Sequence, residues 1–178
     1  MNTKKLARLS LFTALALIMS LVESALPPLF WFAPGAKLGL ANLLSLITLF
    51  TDGVIGGYVV LIIRVLLSSV FGGNFSALLY ALPAGIISYS IQVLLVKFCL
   101  KKIGVVSVSI VGGVIHNAVQ MVIASIITGV NVYSLTIYSL PAGFVAGLFV
   151  GLVAYFALKH LPDKFYGKYT QTMEIETQ

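Results

Sequence analysis

The sequence predicts an all-α integral membrane protein, a single bundle of six transmembrane helices with both termini in the cytoplasm. Three observations carry that reading. Of the 178 residues, 60% are hydrophobic and 9% are charged, and the mean hydropathy is +1.08. A soluble domain of this size cannot hide so much apolar surface, whereas lipid can cover it. The apolar residues also fall into six runs separated by short turns. Finally, nine of the eleven Lys and Arg residues lie on alternate loops. Lys4, Lys5 and Arg8 precede the first run, Lys97, Lys101 and Lys102 separate the fourth from the fifth, and Lys159, Lys164 and Lys168 follow the last. Such asymmetry marks a cytoplasmic face. The net charge of +6 therefore reads as membrane orientation and implies no nucleic-acid partner.

The first run, residues 6–26, is long enough to span and ends at Pro27-Pro28. It is too long for the apolar segment of a signal peptide, so it is expected to be retained. The segment PPLFWFAPGAK that follows holds too much Pro and Gly for a continuous helix. The second run, residues 38–50, has 13 residues and covers about 20 Å as a helix, short of a bilayer core of roughly 30 Å. Its preceding loop is therefore expected to dip into the membrane or lie against protein. Thr51-Asp52-Gly53 reads as a tight inner turn. Run three, residues 54–71, carries Arg64 and ends at an outer turn, Gly72-Gly73-Asn74. Run four, residues 75–98, contains Pro83, a kink site. The fifth, residues 105–128, carries HNxxQ, and the sixth, residues 135–158, contains Pro141. Residues 1–161 form the transmembrane domain, and residues 162–178 a polar, mobile cytoplasmic tail.

Charged groups inside a membrane cost roughly 2.5–3.5 kcal/mol on insertion scales, so their positions are informative. Glu23, Lys37, Asn42, Arg64, Asn74, His116, Asn117 and Gln120 all fall in the half of the bundle away from the Lys-rich face. This predicts one polar pocket open to the outside, lined by Lys37, Asn42, Arg64, Asn74, His116, Asn117 and Gln120 and lidded by Phe30, Trp31 and Phe32. Each residue also has a structural reading. Arg64 can pair with Glu23, Asn42 and Asn74 can cap helices, and His116 can bond a neighbouring carbonyl. Lys37 can snorkel to the interface, and the aromatic trio can be an interface belt. Small residues at Ser10/Ala14, Ala16/Ser20, Gly143/Gly147 and Gly147/Gly151 allow close helix contact, either inside the bundle or with a partner subunit.

Enzymatic chemistry finds little support. Five acidic residues, Glu23, Asp52, Asp163, Glu174 and Glu176, are scattered along the chain and form no Asp-rich Mg²⁺ site. A P-loop, a GxSxG elbow and an HExxH motif are all missing from the sequence. Cys99 is the single cysteine, so neither an internal disulfide nor a Cys cluster is expected. The chain is expected to bind a ligand and to take its energy from another protein.

PGAKLGLANL (34–43), RVLLSSVFGGNFSALLYALPAG (64–85) and GGVIHNAVQ (112–120) resemble the bacterial Gx transporter family, often labelled heptaprenyl diphosphate synthase component I. The likeness covers residues 6–160, and the family is in turn similar to the S components of energy-coupling factor (ECF) transporters. That resemblance implies a six-helix subunit of the bacterial cell membrane that captures a vitamin-like nutrient from outside. It implies partners as well, a transmembrane T subunit and two ATPase subunits, docked on a small-residue face of the first helix formed here by Ser10, Ala14 and Ala16. The leading expectation is therefore a non-enzymatic substrate-binding subunit for an amphipathic cofactor. A heme or other tetrapyrrole would place carboxylates on Lys37 and Arg64 and take His116 as its candidate iron ligand. A quinone or a flavin is the alternative substrate. Two other functions compete: a non-catalytic membrane partner of a prenyl diphosphate synthase, and a stand-alone secondary transporter.

Overall fold

The computed structural model describes residues 3–26, 38–73, 75–99, 103–129 and 133–162, together with 165, 167 and 169. The described residues form six helices and no strand: α1 (Thr3–Ala25), α2 (Leu40–Thr51), α3 (Val54–Phe71), α4 (Phe75–Cys99), α5 (Val105–Thr128) and α6 (Tyr133–Lys159). Five of them, all but α2, are long and apolar enough to cross a membrane. The chain is a multi-pass membrane protein. Large apolar side chains such as Leu11, Ile18, Ile55, Phe98, Ile126 and Phe156 point outward, which lipid permits and water would not.

The short helix is the centre of the fold. Ten of the 12 residues of α2 are buried, and α1, α3 and α6 pack against it. Leu46, Leu49 and Phe50 are among the most enclosed side chains. Protein surrounds the helix, so it does not need the length that lipid would require of it. Its two threonine hydroxyls are satisfied within the helix, Thr48 Oγ1 donating to the Leu44 carbonyl at 2.6 Å and Thr51 Oγ1 to that of Ile47 at 3.1 Å.

The expected turn at residues 51–53 is present. Asp52 caps α2, and Gly53 turns the chain at φ 85°,, a conformation that favours glycine. The Asp52 side chain is fully buried and takes two bonds from Arg8 of α1, one of them from Nε at 3.0 Å. Lys5 Nζ donates to the Asp52 carbonyl at 3.1 Å. The start of the tail closes over this cluster. Phe165 lies under the Arg8 guanidinium at 5.5 Å, the Gly167 amide donates to the Phe50 carbonyl at 3.1 Å, and Tyr169 packs on the core,,. Residues 165, 167 and 169 of the expected tail thus contact the bundle, through an aromatic ring on a guanidinium, a buried carbonyl and the core. Tyr58 and Tyr89 seal the same end of the bundle, ring to edge at 4.6 Å, with Tyr89 Oη donating to the Val54 carbonyl at 3.1 Å.

On the other side of the core, α5 and α6 meet along a glycine seam. A Cβ on Gly113 would lie 3.1 Å from the Gly147 Cα, one on Gly147 would lie 2.7 Å from the Ile110 Cα, and one on Gly151 would lie 2.8 Å from the Val106 Cα. The backbones touch because no side chain separates them. Of the two uses open to the Gly143, Gly147 and Gly151 pairs, internal packing is the one found. Both internal prolines lie within unbroken helices, Pro83 in α4 and Pro141 in α6.

Candidate functional site

A cavity of about 410 Å³ occupies the bundle interior beyond the Tyr58–Tyr89 seal. It reaches from Glu23 at the end of α1 and Gly72 after α3 down to Gln92 of α4 and Ser109 of α5. Its walls come from α1 to α6, so assembling the bundle is what creates it. Serines, amides and glycines dominate the lining, with Leu38, Leu61, Val65 and Val150 as the aliphatic patches. That volume falls in the usual range for small-molecule pockets, about 300–1,000 Å³.

Arg64 enters from α3 with only 7% of its surface exposed. Its Nη2 donates to Asn42 Oδ1 of α2, while its Nε is buried without a hydrogen-bond partner. Arg64 and Glu23, paired in the sequence reading, do not come within 4 Å as Arg8 and Asp52 do, although the Glu23 charge still acts on the guanidinium. Instead Glu23 Oε1 accepts from the Gly39 amide at 2.6 Å, ahead of α2. Asn42 is no helix cap either. Gly39 holds the N-cap position without a side-chain bond, which leaves the Asn42 amide oxygen for the guanidinium.

His116 stands on the cavity wall contributed by α5. Its ring lies beside the Ala84 backbone of α4, and its Nδ1 is buried without a hydrogen-bond partner. Ser45 Oγ, one turn along α2 from Asn42, is buried and unpartnered too. Buried polar groups are nearly always satisfied by protein or water. Three such unpartnered atoms belong to residues that line one cavity, an arrangement that a ligand can complete.

Asn117 is mainly a tie between helices. Its Nδ2 donates to the Ser139 carbonyl of α6 at 3.0 Å, and it is 7% exposed. Gln120 lines the cavity. The structure thus brings Asn42, Arg64, His116, Asn117 and Gln120 together, while Trp31, Lys37 and Asn74 lie outside the described residues. Sequence reasoning missed Ser45, Gln92 and Ser109, and the cavity runs deeper than the outer half. The spacing of Ser45 from Asn42 was the available signal, since i and i+3 share a helix face. Gln92 fits because Gly112 opposite it has no side chain. On α1, Ser10 and Ala14 are exposed, among Leu6, Leu11 and Leu15. Ala16 is 0% exposed and packs in the core, so the docking face expected from sequence does not include it.

Comparison with known proteins comes down to one family. Residues 12–158 match the family described as Heptaprenyl diphosphate synthase component I. The chain belongs to this family. It matches no curated protein and no solved structure. Among the described residues no group of three His, Cys, Asp or Glu side chains could hold a metal ion.

Proposed function

We propose that this family member is the substrate-binding subunit of an energy-coupling factor type uptake transporter in a bacterial cell membrane. The observation that carries the reading is a cavity lined by three residues with buried, unpartnered polar atoms, Arg64, Ser45 and His116. A bundle built only for stability would pair those groups or replace them with apolar ones. The Lys/Arg asymmetry puts the Arg8–Asp52 cluster on the cytoplasmic side, so the cavity lies toward the outside and the Tyr58–Tyr89 layer closes the way in. The substrate is an amphipathic organic cofactor, with the tetrapyrrole, flavin and quinone classes as candidates and an acidic group on the ligand favoured by Arg64. The chain itself is non-catalytic and draws energy from a T subunit and two ATPases.

The exposed Ser10 and Ala14 form the docking face for the T subunit. Ser10→Leu and Ala14→Leu should each abolish ATP-dependent uptake while leaving substrate binding within about twofold, because bulk there blocks helix approach without reaching the cavity. Uptake assays in membrane vesicles, paired with binding to the purified variants, check this. Normal uptake by both variants would place the docking surface elsewhere.

A second reading draws on the family description, which speaks of a synthase component. In it, the chain is a non-catalytic membrane partner of a prenyl diphosphate synthase, and the cavity holds a lipid precursor.

A further inference from the structure

We infer that the cavity contains a carboxylate seat formed by Arg64 Nε and Ser45 Oγ, with His116 Nδ1 beside it to receive a hydrogen-bond donor on the same ligand. The inference deepens the uptake reading by naming the ligand chemistry that fits these atoms. It starts from charge. Arg64 is a guanidinium enclosed by protein, and among the described residues no carboxylate lies within ion-pair distance of it. Glu23 is near enough for its charge to act on the guanidinium, but an enclosed cation without a contact ion pair is costly, and an anionic ligand within bonding distance relieves that cost.

Direction of bonding comes next. Arg64 Nη2 is committed to Asn42, and its buried Nε–H has no partner, so the guanidinium keeps a donor for a further acceptor. Ser45 is 2% exposed, and its Oγ is also buried without a partner. Because Ser45 follows Asn42 by three positions on α2, its hydroxyl lies on the helix face that already holds the guanidinium. Two donors there match the two oxygens of a carboxylate.

His116 differs. Its Nδ1 has no hydrogen-bond partner, and we take the tautomer with the ring hydrogen on Nε2. In the uncharged ring Nδ1 is then a lone-pair acceptor. It wants a ligand O–H or N–H. The fitting ligand is an acid whose carboxylate has a hydroxyl or amino group close by. The serine and amide walls suit such a polar body.

Small probes test the seat directly. Arg8 and Arg64 are the two arginines of the chain, so an Arg8→Lys protein labelled with ¹⁵N gives one guanidinium Nε–H signal to follow by NMR in detergent. Acetate should shift it saturably with a Kd on the order of millimolar. Glycolate, which adds a hydroxyl, should bind roughly tenfold more tightly, and acetamide at least about tenfold more weakly than acetate. Ser45→Ala should weaken acetate about fivefold. His116→Phe should erase the glycolate advantage and leave acetate within about twofold. No saturable response to acetate, or an equal response to acetamide, would overturn the carboxylate seat. Equal binding of acetate and glycolate would overturn the role of His116. So would a Soret shift with added hemin that vanishes in His116→Phe, because Nδ1 would then take iron. The titration uses the isolated subunit, so a responsive seat without transport, or transport without a response, separates this inference from the uptake reading.

Discussion

A leucine at position 147 should prevent the bundle from assembling. Gly147 sits where α5 and α6 touch backbone to backbone, and even a methyl group there would approach the Ile110 Cα to 2.7 Å and the Ser109 carbonyl oxygen to 2.8 Å. Both neighbours are main chain and cannot rotate away. Relief has to come from parting the helices, which opens the contacts of Gly113 and Gly151 along the same seam. Overpacking of a close-packed interior costs about 1–3 kcal/mol for added methylenes, and more when backbone must move. Gly147→Ala should fall in that range, and Gly147→Leu should exceed it and leave little folded protein in detergent. Gly104→Ala is the control: nothing lies within 4 Å of its would-be Cβ and its φ of −75° suits alanine. Thermal denaturation in detergent should rank the proteins wild type and Gly104→Ala together, then Gly147→Ala, then Gly147→Leu. A Gly147→Leu protein as stable as wild type would show that the α5–α6 seam is not close-packed.

Arg64→Ala should lower affinity for an acidic ligand about ten- to a hundredfold. That range corresponds to a lost charge-assisted contact of about 1.5–3 kcal/mol. The substitution also leaves Asn42 Oδ1 without its donor, so some stability is lost as well. Arg64→Lys separates the two effects. A lysine restores the charge and can reach Asn42 or the ligand, but it lacks the forked guanidinium that serves both at once. Glycolate titrations read at the His116 ring nitrogens, alongside thermal denaturation, should show binding falling in both variants and stability falling mainly in Arg64→Ala. Full affinity in either variant together with a lowered melting temperature would make Arg64 a structural residue only.

The fold was legible where its signal is one-dimensional. Apolar runs broken by Gly and Asp gave α3 and α5 at the bounds observed, Val54–Phe71 and Val105–Thr128, since lipid-facing helices announce themselves by composition alone. The short second run was legible as an oddity, and its burial follows from what a short helix needs. The candidate site was legible as a set of polar residues at one depth but not as a network. Whether Arg64 turns to Glu23 or to Asn42 depends on helix rotation, which a pattern without a strong polar stripe leaves open. Ala16 illustrates the same gap, because small residues look alike in sequence whether they face a partner or the core. The contacts of the tail were illegible for another reason. Its polar composition hid two anchors, Phe165 and Tyr169, that find the guanidinium of Arg8 and the core only after folding.

The most direct measurement is the composition of the complex purified by affinity capture of this chain from its native membranes in mild detergent. The uptake account predicts co-purification of a transmembrane T subunit and two ATPases in fixed proportion, lost in Ser10→Leu and Ala14→Leu. Capture of a soluble prenyl diphosphate synthase in their place, or of the chain alone with uptake intact, would contradict it.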